Sequence, residues 1–228
     1  MTGVHDLAPA DELLAVCDEC GRPLPAGRPR GLVHREGLWH RSFHCWIVRA
    51  GRRGAELILQ RRARTKDTHP GAWDVSAAGH YRPGESVAGG LRELAEELGI
   101  VAPAEALVWL ERHREIIRYP DGLRDREYQD VYLLRCDQPL DAYRPDPAEV
   151  DGVAALPAAT LAALARGAVR HARTRGWLLG AAGWREDPVV LARGTLVPRS
   201  GRYYERVARA AARLLARSAP VGPWAARR

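Results

Sequence analysis

The sequence predicts a mixed α/β (α+β) domain with an extension at each end. Three observations predict it. The chain has 228 residues, 46% hydrophobic and 28% charged, enough for one large domain around a buried core. Two stretches rich in β-formers, 38–60 and 106–135, read as hairpins. Between them lies a short helical pattern over 91–98, closed by Gly99 as a C-cap tolerant of positive φ.

In chain order, residues 1–36 are polar and turn-rich, with Gly21, Pro23, Pro25 and Gly27 punctuating short apolar patches such as 13–16, which predicts a small strand-and-turn extension. Trp39, Phe43, Trp46, Ile47 and Val48 mark a strand. A glycine turn at 51–54 follows, and then a buried strand at 56–60. His69-Pro70-Gly71 is a turn, and 73–76 leads toward the helix. Residues 106–119 and 127–135 are strand-like around a Pro120-Asp121-Gly122 turn. After Pro157, residues 158–165 read as a helix stopped by Gly167. Residues 203–215 place Tyr204, Val207, Ala208, Ala211, Leu214 and Leu215 on one helical stripe. The expected units are 1–36, 37–167 and 168–228.

The central helix carries the chemistry. Glu93, Glu96 and Glu97 stand at i, i+3 and i+4, on one face, with Leu91, Leu94 and Leu98 on the other. Like charges at this spacing cost a few tenths of a kcal/mol per pair. A hard divalent cation removes that conflict, because Mg2+ and Mn2+ favour carboxylate oxygen. The alternative is a solvated acidic face with Arg92 as counter-charge.

With the loop that precedes it, this helix resembles the Nudix box, G-x5-E-x7-R-E-U-x-E-E-x-G-U with U a bulky aliphatic residue. Gly79, Glu85, Arg92, Glu93, Leu94, Glu96, Glu97, Gly99 and Ile100 fill its fixed positions. One departure exists: six residues, 86–91, separate Glu85 from Arg92 where the pattern has seven. Interior glycines each cost a helix about 1 kcal/mol relative to alanine. Gly89 and Gly90 therefore predict a helix that starts late, with the loop absorbing the deletion and Glu85 the least firmly placed member. Over roughly residues 30–155 the chain is also similar to the Nudix subgroup that includes isopentenyl-diphosphate isomerases, on Trp39-His40-Arg41-Ser42-Phe43-His44, Gln60-Arg61-Arg62 and the segment 70–80.

The resemblance implies an α/β/α sandwich with a mixed sheet, an Mg2+ or Mn2+ cofactor, a small-molecule diphosphate substrate, and hydrolysis of a diphosphate linkage in a nucleoside diphosphate-X or related compound. It implies Glu93, Glu96 and Glu97 as metal ligands, with Glu149 as a further acid from outside the box and Glu127 as its competitor. Glu93 either ligates metal or acts as general base, held by Arg92; the catalytic set is Glu93, Arg92 and Glu97. Arg61 and Arg62, with Arg64 beside them, have guanidinium forks suited to phosphate, against the plainer reading of surface arginine. His80 and Glu85 are placed on the substrate side, and His40 and His80 match histidines that bind metal in the isomerases. Those isomerases carry a cysteine where this chain has Ala78, and two carboxylates where it has Glu127-Tyr128-Gln129. Proton shuttling at carbon is thereby disfavoured against hydrolysis, and a nucleotide-binding module without turnover is a third reading.

The formal net charge is +7, and Lys66 is the sole lysine. Such an excess attracts anions, although a codon bias toward arginine is the favoured explanation. Arg202, Arg206, Arg209, Arg213 and Arg217 surround the last helical stripe, a pattern commoner in solvated amphipathic helices than in nucleic-acid readers. Nucleic acid is therefore disfavoured as a partner, and homodimer formation is left open. No apolar run approaches the ~18–20 residues of a membrane span, and the first residues lack a secretory h-region, which predicts a cytoplasmic protein. Cys17 and Cys20 form half of a zinc ribbon without a second pair, which predicts reduced thiols in a turn.

Overall fold

The computed structural model describes residues 12–119, 122–222 and 224. Residues 1–11 of the N-terminal extension, and Pro120 and Asp121 of the expected turn, lie outside the described residues. The elements are β1 (Leu13–Leu14), β2 (Arg28–Pro29), α1 (Arg30–Glu36), β3 (Trp39–Gly51), β4 (Gly54–Arg62), β5 (Trp73–Asp74), β6 (Ala77–His80), α2 (Val87–Leu98), β7 (Leu107–Arg118), β8 (Arg124–Arg135), β9 (Val150–Pro157), α3 (Ala158–Ala165), β10 (His171–Gly180), β11 (Gly183–Ala192) and α4 (Tyr203–Arg217).

Nine strands form a mixed sheet in the order β11-β10-β9-β4-β3-β8-β7, with β5 on β4 and β6 on β3. Strands β3 and β8 run parallel, from Trp39 opposite Arg126 to Val48 opposite Arg135. The two-residue strands β1 and β2 pair separately. Because side chains alternate along a strand, β3 and β4 feed two cores. Phe43, Cys45, Ile47 and Ile58 meet Leu94 and Leu98 of α2 on one face. Trp46, Val48, Leu57 and Leu59 meet Leu161 of α3 and Val207 of α4 on the other. Helices thus cover both faces, the expected α/β/α arrangement.

The start of α2 departs from the sequence reading. The helix begins at Val87, directly after Ser86, and contains both glycines, so no loop absorbs the missing residue. Each glycine admits a neighbour: a Cβ on Gly90 would fall on the ring of buried Phe43, and one on Gly89 would meet the Glu85 carboxylate. The cost in helix propensity is offset by close packing of α2 on β3. Gly90→Ala is therefore expected to destabilise the protein by about 1–3 kcal/mol through overpacking, despite alanine's higher propensity. Urea unfolding reads this directly, and an unchanged or raised midpoint would contradict it.

Helix α1 and the β10–β11 hairpin were not read from the sequence. Helix α1 buries only Val33, so no apolar stripe announces it; Gly37, at φ 64°, caps it by donating to Val33 O. Strands β10 and β11 form a hairpin that extends the main sheet, with Gly176 opposite Ala154 of β9. Pro188 is accommodated because β11 is an edge strand. Residues 168–222 lie along the domain, with α4 packed on the sheet.

Cys17 and Cys20 are free, as are buried Cys45 and Cys136. Asp18 Oδ1 accepts from the N–H groups of Cys20 at 2.8 Å and Arg22 at 2.9 Å, making the Cys-x-x-Cys segment an Asx turn. No described helix is long and apolar enough to cross a membrane.

Candidate active site

Strand β6 stands between two sets of ionisable side chains. Ala77 belongs to the α2-side core and Ala78 packs against the opposite one. Gly79 leaves room for the Glu93 side chain, which a Cβ would strike. The next residue, His80, meets Glu127 and lies against the His40 ring. Strand alternation thus aims successive residues at different partners.

On the α2 side, Glu97 is only 6% exposed. Its Oε2 accepts from Ala78 N–H at 2.9 Å and Gln60 Nε2 at 3.2 Å. Burial, reinforced by the Glu93 charge, pushes its carboxyl up to about 8, against the pull of Ala78 N–H, Lys66 and Arg62. Glu93 is raised to about 7, again chiefly by burial; Arg92 opposes the shift, and Glu96, Glu12 and Glu149 add to it. Arg92 bridges Glu93 and Glu96, at 2.8 Å to each. Glu96 is turned outward, with a side chain 54% exposed.

The other expected residues have definite partners. Glu149 is paired with Lys66 Nζ, so the single lysine of the chain is held beside the glutamates. Arg61 is engaged by Asp151 and lies over the Trp73 ring. Arg62 donates to Thr68 O at 2.9 Å and approaches Asp74 at 3.5 Å. Glu85 closes its own loop by accepting from Arg82 N–H at 2.8 Å. The structure brings Glu93, Glu97, Glu149 and Lys66 into electrostatic reach of one another and leaves the Glu85 carboxylate facing its loop.

On the opposite side lies a histidine cluster of which the sequence yielded three members, His40, His80 and Glu127. Among the described residues, the groups of three or more ligand atoms within 4.8 Å of one another are His34, His40 and His80, and His40, Asp125 and Glu127. The α2 glutamates form no such group. His34 Nε2, His40 Nε2 and Asp125 Oδ1 are buried without a hydrogen-bond partner. Burial, with the neighbouring His80 and His40, pushes His34 down to about 3. Burial also acts against His40, but Glu127 and Asp125 carry it above the usual imidazole value. Asp125 is raised to about 7 by burial and the Glu127 charge. Nitrogen and oxygen donors with orphaned atoms fit a divalent transition ion.

His34 and Asp125 escaped the sequence reading for different reasons. His34 rides on the stripe-free helix α1, whereas Asp125 and Glu127 are alternate residues of one strand and share a face, a signal present in the sequence.

Residues 38–178 match the NUDIX domain family model. An uncharacterized Nudix hydrolase of Clostridium acetobutylicum is 33% identical over 201 residues, covering 88% of this chain and 97% of that protein. Isopentenyl-diphosphate Delta-isomerase 2 of Photorhabdus laumondii is 33% identical over 130 residues, 56% of this chain and 69% of that one. The crystal structure of DR0079 from Deinococcus radiodurans is similar with a TM-score of 0.50 at 24% identity, covering 69% of this chain and 89% of that one, a likeness of fold.

Proposed function

The chain belongs to the Nudix family, and from that membership we propose that it is a metal-dependent hydrolase cleaving the diphosphate linkage of a nucleoside diphosphate-X compound or related organic diphosphate. The observation that carries this reading is the pair of Glu97, buried, and Glu93, half-buried, both with raised proton affinity and with Lys66 close by. Such oxygen donors fit Mg2+ or Mn2+, which Glu93, Glu96 and Glu97 would hold, with Glu149 beside them. When bound, the ion neutralises phosphate oxygens and acidifies a coordinated water.

The remaining work falls to the chain's own groups. Glu93, steered by Arg92, either shares in holding the ion or takes the proton of the attacking water. Lys66 offers its ammonium to the substrate phosphates on leaving Glu149, which strengthens as charge builds in the transition state. Ala78 puts a methyl group where alkene isomerisation by this family needs an ionisable one.

A panel of nucleoside diphosphate-X compounds and prenyl diphosphates with Mg2+ and Mn2+ tests the reading. Metal-dependent release of phosphate or a nucleoside monophosphate is expected from at least one class. Turnover of none, or conversion of isopentenyl to dimethylallyl diphosphate, would overturn it. Lys66→Gln is expected to lower kcat/KM by roughly 10², with Lys66→Arg recovering most of the loss. A variant as active as the parent would remove Lys66 from the mechanism.

A further inference from the structure

On the sheet face remote from α2, a cavity of about 660 Å3 opens between the end of α3 and the segment leading into α4. That volume falls in the range of small-molecule sites, about 300–1,000 Å3. Arg166, Arg193, Arg199 and Arg202 line it, against one carboxylate, Glu205. Glu205 is taken by Arg202, at 3.0 Å from its Nε. Neither Arg166 nor Arg193 has an ion pair or side-chain hydrogen bond among the described residues, so the cavity carries uncompensated positive charge.

Arg199 supplies an independent indication. Its side chain is 5% exposed and its Nη2 is held by Asp74 at 2.6 Å, yet its Nε is buried without a hydrogen-bond partner. An acceptor that reached this donor would satisfy it. The α4 N-terminus at Tyr203 borders the same space and adds a field favourable to anions. A second cavity of about 620 Å3 adjoins the first, sharing Arg166, Arg202 and Glu205 and continuing between α3 and α4 along Ala158, Ala162 and Ala208. The combined space pairs a cationic mouth with a groove walled mainly by alanines, with Arg53 and Arg209 also on its lining.

We propose that this pair of cavities binds a small phosphorylated organic metabolite, its phosphate on Arg166, Arg193 and Arg199 and its organic body in the groove between α3 and α4. Guanidinium forks match phosphate oxygens bidentately. The limited volume and the short groove suit a single molecule rather than the repeated phosphates of a nucleic acid. This site is separate from the diphosphate site, and none of the groups assigned above to catalysis lines it.

Calorimetric titration of the full chain in EDTA tests the proposal without turnover. The probes are inorganic phosphate, a set of nucleoside monophosphates and sugar phosphates, and a single-stranded oligonucleotide. Saturable one-to-one binding of at least one organic phosphate is expected, at least tenfold tighter than inorganic phosphate. The Arg166→Ala/Arg193→Ala double variant is expected to lose tenfold or more of that affinity while its metal-dependent diphosphate turnover is unchanged. Loss of that turnover in the parent chain would bear on the active site and leave the binding result intact. The proposal is overturned by undiminished binding in the double variant, by no saturable binding of any organic phosphate, by inorganic phosphate binding equally well, or by preference for the oligonucleotide with a steep salt dependence.

Discussion

Glu97→Gln is expected to abolish metal-dependent turnover, lowering kcat/KM by at least the order of 10²–10³ that loss of one electrostatic stabiliser costs, while making the metal-free protein less sensitive to alkaline pH. Amide and carboxylate have nearly the same shape, so Gln60 and Ala78 N–H keep a partner oxygen. The pH dependence follows from where the proton resides. The folded-state carboxyl is raised from 4.5 to about 8. Below about pH 4.5 the group is neutral in both states. Between 4.5 and 8 the unfolded chain ionises while the fold retains its proton, so stability falls as pH rises. Above about pH 8 both states are ionised and the penalty is constant. Thermal unfolding of the metal-free protein should therefore show Tm declining from pH 6.5 to 8, above the range in which buried, neutral His34 acts in the opposite direction. The decline should be shallower in the Glu97→Gln protein, where Glu93 and Asp125, each raised to about 7, still contribute. Mg2+ or Mn2+ at pH 8.5 should restore the parent's Tm by binding the native state alone, with a smaller gain in the variant. A parent Tm independent of pH across this range would sink the assignment.

The second large effect is on stability. Arg199→Met should cost about 3–5 kcal/mol, because it strips the nearer cation from a buried carboxylate. Asp74 is 3% exposed, and its remaining partners are Arg62 at 3.5 Å and the N–H of Val75 at 2.8 Å. Burial acts against the Asp74 charge, and Arg199 and Arg62 hold its carboxyl below the usual range nonetheless. Adding Asp74→Asn to Arg199→Met should return part of the loss, since the pair then leaves no unpaired charge. A double-mutant cycle by denaturant unfolding measures this coupling. Additive losses from the two substitutions would mean that the buried pair contributes through packing and not through charge.

Local patterns in the sequence anticipated local structure well. The spacing of Glu93, Glu96, Glu97, Leu94 and Leu98 determines a helix with one acidic and one apolar side, and α2 has both. The hairpin of β3 and β4 and the helix over 158–165 followed from β-formers, glycine turns and a proline start. What the spacing could not convey was tertiary. Gly90 belongs inside α2 because Phe43, 47 residues earlier, lies against it. Glu96 and Glu97 are neighbours in sequence, yet one faces solvent with Arg92 and the other is buried under β6. The histidine cluster assembles residues from α1, β3, β6 and β8, a combination only the sheet order brings about.

The hydroxyl of Tyr203 also has a consequence for how the chain folds as it is made. It accepts from Trp46 Nε1 at 2.9 Å and lies 2.9 Å from His44 Nδ1, partners 157 and 159 residues earlier. Synthesis at about 5–20 residues per second delivers Tyr203 roughly ten to thirty seconds after strand β3 has emerged. During that interval the polar atoms of Trp46 and His44 lack their partner, and the strand face later covered by α4 is bare. An inner strand of the sheet is thus among the first made and the last completed. The nascent chain is committed to finishing its core late, with a slow, long-range closure and a window in which that face is open to chaperones or to misassociation.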